Sequence, residues 1–426
     1  MPPKRIIERL VGQLMAAYRD CLPFDSETVS QTRIMFCSST HNPFVFDGSW
    51  RKSFKEMAAS CNVWLDQYPL QEFERFLMTA VADAKEVAAR GAETSVCFRN
   101  ILDGFFKTIE DSPDWEVLLA VYGLAMTQPP FSLGPCRFFI MDGAEVHRWG
   151  QLVPPYDTDP FHNPLVVGQQ LLGNWVACLR VRGIDTNHAQ AKAKYRLEEV
   201  LNLLRHGAFL SSIPQTCVRA GLGQPRYWNN LSMCVRVEPP GVFQDSARQG
   251  ADGLNIEVCS IHEVCSIHSR AWHPLQSLVA KEPKTRTGLE STVMTAIKWV
   301  GQAAAAPLGP VRLVSLVTAL EVLVIVGSET LGKRSKLSRR VARILPIVRP
   351  GADGAEQTAD RLYRVRSECL HEGATQVEDD DINTAYRYVD AIMTAYLIKD
   401  PFCKCDNLGM VLDTIREPDG EFVYSI

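Results

Sequence analysis

Arg366 and His371 are residue types that suit metal-free phosphodiester cleavage. A fixed guanidinium holds and neutralises the phosphate, while an imidazole moves a proton to or from a ribose hydroxyl or a leaving oxygen. Both lie in the stretch Arg361-Leu-Tyr-Arg-Val-Arg366-Ser-Glu-Cys-Leu-His371-Glu-Gly373. Leu362, Val365, Cys369 and Leu370 recur there at helical steps, and Gly373 stands where a helix ends in the left-handed conformation. His371 then falls in the last turn, where unpaired carbonyls favour its protonated form. Their spacing sets the two side chains about 140° apart on a 3.6-residue helix, on adjacent faces. Spacing by itself is weak evidence. Arg182 and His188 form a comparable pair, in a segment that reads as a strand followed by a turn.

The elements that must position the pair run from about Gly288 to Leu397. Leu289-Glu-Ser-Thr-Val-Met-Thr-Ala-Ile-Lys-Trp299-Val-Gly301 reads as an opening helix. Ala319-Leu-Glu321-Val-Leu323 belongs to the longest apolar run, Leu313 to Val326, which is too short to span a bilayer and reads as a buried helix. Its Glu321 is of the right type to neutralise a buried Arg366. Lys336-Leu-Ser-Arg-Arg-Val-Ala-Arg-Ile-Leu345 follows, with a basic face opposite Leu337, Val341 and Ile344.

These pieces, with Leu362 to Gly373, resemble the HEPN domains, and within them the ApeA-like group of bacterial anti-phage proteins. Arg366 and His371 match the family's signature of Arg, four to six residues, then His. The resemblance implies an α+β N-terminal region followed by an all-α HEPN helical bundle that usually dimerises. It makes Arg366 and His371 the catalytic pair and Ser367 the polar residue that commonly follows the arginine. Many members carry Asn, Asp or His where Ser367 stands, and the usual His-Gly ending is His371-Glu372-Gly373 here. The implied activity is a metal-independent endoribonuclease cutting RNA by 2′-hydroxyl attack, an anti-phage or toxin-type effector acting as a homodimer with no cofactor. Lys336, Arg340, Arg343, Arg361 and Arg364 would then track the RNA backbone. Residues 1 to about 280 would sense a phage-derived or nucleotide trigger or hold the nuclease off. The alternative is a non-catalytic HEPN bundle that dimerises and binds a nucleotide or partner.

The chain of 426 residues is long enough for two or three domains, and its net charge of −4 means that any RNA surface must be local. Thirteen scattered cysteines and the absence of a signal peptide lead us to expect free thiols in a reducing cytoplasm, with no membrane partner. We divide the chain into a mostly helical region over 1–130, an α+β region with a linker over 131–285, the bundle over 286–400 and a tail over 401–426.

In order, an amphipathic helix spans Ile6 to Tyr18, and Arg33 to Cys37 is a strand. Helical pattern then runs from Trp50 to about Met126, with Trp115, Leu118, Leu119 and Tyr122 in its core. Cys136 to Met141, Trp175 to Val181 and Ser232 to Val237 read as strands, and Val153 to Pro164 as a long loop. Asp185-Thr186 caps a helix that continues to about Arg205. Glu257-Val-Cys-Ser-Ile-His262 is repeated directly as Glu263 to His268. Cys259, His262, Cys265 and His268 are zinc-ligand types, but a tandem copy produces that pattern without metal. On a strand, Cys259 and His262 would face opposite sides, and the short Gly or Pro knuckle of closed sites is missing. We expect no metal there. Residues 274–287 read as the linker, and Glu378 to Asp381 as a helix start stabilised by its charges.

Overall fold

The computed structural model describes residues 2–23, 33–37, 43–47, 50–61, 65, 68–88, 93–125, 130–150, 171–210, 221–222, 232–236, 241–245, 256–306, 308–327, 329, 331–371, 373 and 376–415. The chain divides into two compact units. One comprises Met1–Val117, Arg180–Tyr195 and Cys234–Phe243; the other comprises Leu118–Leu179, Arg196–Met233 and Gln244–Ile426.

In the first unit, helices α1 (Lys4–Asp20), α2 (Trp50–Cys61), α3 (Leu70–Ala88) and α4 (Thr94–Glu110) accompany strands β1 (Leu22–Pro23), β2 (Arg33–Cys37) and β3 (Pro43–Asp47). The three strands form an antiparallel sheet in the order β1–β3–β2, with Met35 opposite Val45. Helix α1 buries Ile7, Leu10, Val11, Leu14 and Ala17, the stripe its periodicity indicates. They pack in one core with Phe54, Phe73, Leu77, Phe98 and Phe106.

The helical pattern expected to reach Met126 ends at Glu110, and Asp114–Tyr122 is a strand, β4. Pro113 biases Ser112 away from helix, which stops α4. Val117 to Val121 are then buried without interruption, so Trp115, Leu118 and Leu119 belong to a strand covered on both faces. A continuous apolar run of this length has no period that separates strand from helix.

The other strands are β5 (Leu124–Ala125), β6 (Phe131–Leu133), β7 (Cys136–Ile140), β8 (Trp175–Arg182), β9 (Gly221–Leu222), β10 (Ser232–Arg236), β11 (Gly241–Asp245) and β12 (Ile256–Glu257). The larger sheet has the order β11–β10–β4–β8–β7–β6, with β9 also on β4. Leu133 faces Cys136 across the β6–β7 turn, where Gly134 takes a left-handed φ of 55°. Asp142 ends β7's extension by capping helix α5 (Gly143–Gly150), its Oδ1 accepting the Glu145 N–H. Asp185 does the same for α6 (Thr186–Leu210), accepting the His188 N–H. Val153 to Pro164 lie outside the described residues.

The second unit continues with α7 (Val258–His268), α8 (Trp272–Ala280), α9 (Gly288–Ala305), α10 (Gly309–Val324), α11 (Lys333–Val348), α12 (Ala355–His371), α13 (Asp379–Ile398) and α14 (Leu408–Thr414). The region is therefore α+β followed by a run of packed helices. Thr287 and Glu290 form a reciprocal capping box at the start of α9. Tyr386, Val389, Ile392, Met393 and Tyr396 face inward from α13, and Leu337, Val341 and Ile344 from α11, as their spacing requires. No helix among the described residues is long and apolar enough to cross a membrane.

Residues 274–287 are not an open linker. Trp272, Leu275, Leu278 and Val279 bury one side of α8, and a 3-10 turn follows over Pro283–Thr285. Arg286 then binds Glu199 of α6 through Nη1 and Nη2, while Arg196 donates to the same carboxylate at 2.6 Å. All three side chains are buried, so Glu199 holds two desolvated cations. Glu199→Ala leaves both uncompensated and is expected to lower unfolding stability by about 3–5 kcal/mol. Urea denaturation at neutral pH checks this; a change under about 1 kcal/mol would be that of a surface pair.

Candidate functional site

Helix α12 buries Ala355, Ala359 and Leu362 and ends at His371, beyond which Gly373 has a φ of 69°. The helix end thus follows its sequence pattern. The apolar stripe fades towards that end: Val365 and Cys369 are half-buried, and Leu370 is 48 % exposed.

Arg366 is recessed, its side chain 19 % exposed, and faces Glu321 of α10, which is 15 % exposed. Arg366 Nη2 and Glu321 Oε1 are 3.8 Å apart, beyond hydrogen-bond range. Arg366 Nε and Glu321 Oε1 are sealed and have no hydrogen-bond partner among the described residues. The guanidinium also lies 5.5 Å from the Tyr363 ring centroid. Burial, and then the Glu321 charge, push the Tyr363 hydroxyl above its ordinary pKa. Ser367 is half-buried and His371 is exposed at the helix end. The arrangement is a cation set back into the fold, under-bonded, with a titratable imidazole further along the same helix at the surface.

The residues expected to carry RNA are all engaged. Lys336 and Arg340 both bind Glu329, and Arg340 does so with two bonds of 2.6 and 2.9 Å. Arg340 also donates to the Val324 carbonyl at 2.8 Å, and Tyr396 donates to the Leu323 carbonyl at 2.6 Å. Together they satisfy two of the carbonyls left open where α10 ends. Arg343 donates to the Ile415 carbonyl, Arg364 pairs with Glu368 at 3.5 Å, and Arg361 pairs with Asp381 at 2.7 Å. Asp381 is buried. The acidic start of α13 therefore does more than stabilise a helix end: it anchors Arg361 across to α12. Sequence gives no sign of this, because three adjacent aspartates look alike until one is placed inward.

The rival pair is structural. Arg182 Nε donates to the Ser112 carbonyl at 3.1 Å. His188 is buried, accepts the Ile184 N–H at Nδ1 and lies edge-on to Tyr68. The duplicated hexapeptide is helical from Val258 onward, where it forms α7, and only its first residue, Glu257, belongs to β12. His262 Nδ1 is met by Trp272 Nε1 at 3.3 Å and Gln276 Nε2 at 3.0 Å. Cys265 is buried, and its thiol faces the Gly207 carbonyl. Among the described residues no group of three or more His, Cys, Asp or Glu side chains is arranged to hold a metal ion. Set against protein-family models, curated proteins and solved structures, the chain matches none.

Hydrogen bonds from Arg340, with a further one from Lys336, bring Glu329 from an ordinary 4.5 down to about 2. A carboxylate depressed in the folded state adds stability above its unfolded pKa, and that stability is lost as pH falls towards the folded value. Glu329→Gln should therefore be less stable than the native protein at neutral pH, with the difference shrinking between pH 4.5 and pH 2. Melting curves across that window test it; a constant difference would assign the effect to packing rather than charge.

Proposed function

We propose that this chain is a metal-independent ribonuclease of the HEPN kind, in which Arg366 holds the scissile phosphate and His371 moves the proton. The observation that carries this is the bonding of Arg366. Arg334, Arg340 and Arg361 each sit within 2.7 Å of a carboxylate oxygen. Arg366 comes no closer to Glu321 than 3.8 Å, and its Nε has no partner among the described residues. A phosphate oxygen reaching the exposed part of the side chain would add a directed acceptor to the loose Glu321 contact. In the proposed reaction the ribose 2′-oxygen attacks the adjacent phosphorus and the bond to the 5′-oxygen breaks. The 2′ proton passes to an imidazole, and the leaving 5′-oxygen takes a proton from one. The products are a cyclic phosphate and a 5′-hydroxyl end. Ser367 stands beside Arg366 as a further polar contact.

One His371 serves as base or acid, not both at once. A twofold homodimer presents the same pair twice to one cleft and resolves this. In this reading the chain is a cytoplasmic anti-phage or toxin-type effector, and residues 1 to about 280 sense a phage-derived or nucleotide trigger. The second reading, a non-catalytic HEPN bundle that dimerises and binds a nucleotide or partner, draws on a different observation. Lys336, Arg340, Arg361 and Arg364 are all paired with carboxylates, which leaves less free positive charge for an RNA backbone.

An RNA-cleavage assay in EDTA separates the two. We expect the native dimer to cut and Arg366→Ala and His371→Ala each to lose about 10²–10⁴-fold in rate while remaining dimeric. Cleavage that survives His371→Ala would remove the catalytic assignment. A native protein that binds RNA or nucleotide without cutting selects the second reading.

A further inference from the structure

His206, Tyr386, Asp390 and Cys265 meet inside the second unit, and none belongs to the site above. His206 lies in the C-terminal half of α6 and is fully buried; Tyr386 and Asp390 lie one turn apart on α13; Cys265 is on α7. Phe209 of α6 stacks on Tyr386 with ring centroids 4.4 Å apart. Tyr386 Oη is 3.0 Å from His206 Nδ1 and 3.1 Å from the His206 carbonyl oxygen. A carbonyl only accepts, so the single phenolic proton goes to it. Tyr386 Oη then accepts from Nδ1–H, and a neutral His206 keeps a lone pair on Nε2. That lone pair faces Asp390 Oδ1 at 3.6 Å. Both atoms are sealed and have no hydrogen-bond partner among the described residues, although the Asp390 side chain as a whole keeps 27 % exposure. Two lone pairs opposed in a dry site are destabilising, and one proton between them removes the conflict.

We propose that His206 and Asp390 hold one proton in common, which makes the fastening of α6 to α13 insensitive to pH over the range in which either group alone would titrate. The proton comes from solvent. It sits on the carboxyl, donating to Nε2, or on Nε2 as an imidazolium beside the carboxylate, and the pair carries the same net charge either way. The inference holds whether or not the chain cuts RNA.

The surroundings agree. Burial raises Asp390 to about 6, opposed by the Arg349 charge, and burial lowers His206 to about 3. Burial pushes the Cys265 thiol up to about 12 and Tyr386 well above its ordinary value, so neither competes for the proton. Folded, the pair takes its proton near pH 6; unfolded, His206 takes one near 6.5. The two uptakes cancel in the dependence of stability on pH.

Single substitutions break the cancellation in opposite directions. In Asp390→Asn the amide N–H donates to Nε2 without a proton. The folded state then takes up none while the unfolded His206 still does, so stability falls as pH drops below 6.5. Removing a carboxylate thus makes the protein more sensitive to acid. In His206→Gln the raised Asp390 remains alone, and stability rises as pH falls from 6 towards 3.8. The measurement is Tm of each full-length variant relative to the native protein, from about pH 7.5 to about pH 4.5. We expect the Asp390→Asn difference to grow more negative on acidification and the His206→Gln difference to grow more positive. Curves parallel to the native one overturn the proposal. Should either variant fail to fold, NMR of the native pair decides, with carbon-13 on the Asp390 carboxyl and nitrogen-15 on the His206 ring: one proton taken up near pH 6 and sensed by both groups supports the proposal, and a carboxyl that titrates with no response at Nε2, or no uptake at either group, overturns it.

Discussion

A carboxylate on a helix that is apolar on nearly every side governs the C-terminal helices. Helix α10 buries Leu313, Leu316, Val317, Ala319, Leu320, Leu323 and Val324, and Glu321 shares that environment. An unaccompanied buried carboxylate is destabilising by several kcal/mol, so a cation must come to it. Arg366 answers from α12. On the same helix Leu362 lies in the core, Tyr363 is close enough to Glu321 to feel its charge, and His371 is exposed at the end. Arg340 and Tyr396 then close the carbonyl end of α10 from α11 and α13. Several side chains that look like surface charge in a linear reading are thereby committed to one central helix.

The same arrangement explains why Arg366 differs from its neighbours. Among the basic residues of α11 and α12, Arg334, Lys336, Arg340 and Arg361 each have a carboxylate oxygen within 3.1 Å. Arg366 is recessed against Glu321 at 3.8 Å, and its Nε has no hydrogen-bond partner among the described residues.

Legibility followed physical range. The helices α9, α11 and α13 were readable because their burial alternates with a local period. Strand β4 was not, since a sheet buried on both sides erases that period, and Trp115, Leu118 and Leu119 fit a helix equally well. The candidate pair was readable as Arg366 and His371, and Glu321 as a possible partner. The commitments of Lys336, Arg340 and Arg361 were not, because each depends on a carboxylate brought in by tertiary packing. His206 and Asp390 stand furthest apart in sequence, and nothing local marks either one.

The tandem hexapeptide shows what identity of sequence is worth on a helix. Six residues advance an α-helix by about 9 Å and turn it by about 240°. Identical side chains from the two copies therefore cannot share a face. Ile261 is buried at 2 % while its copy Ile267 is 76 % exposed. A duplication of this length is a repeat only on paper. Folded, it buries Ile261 of one copy and Cys265 of the other, and leaves Ile267 in water.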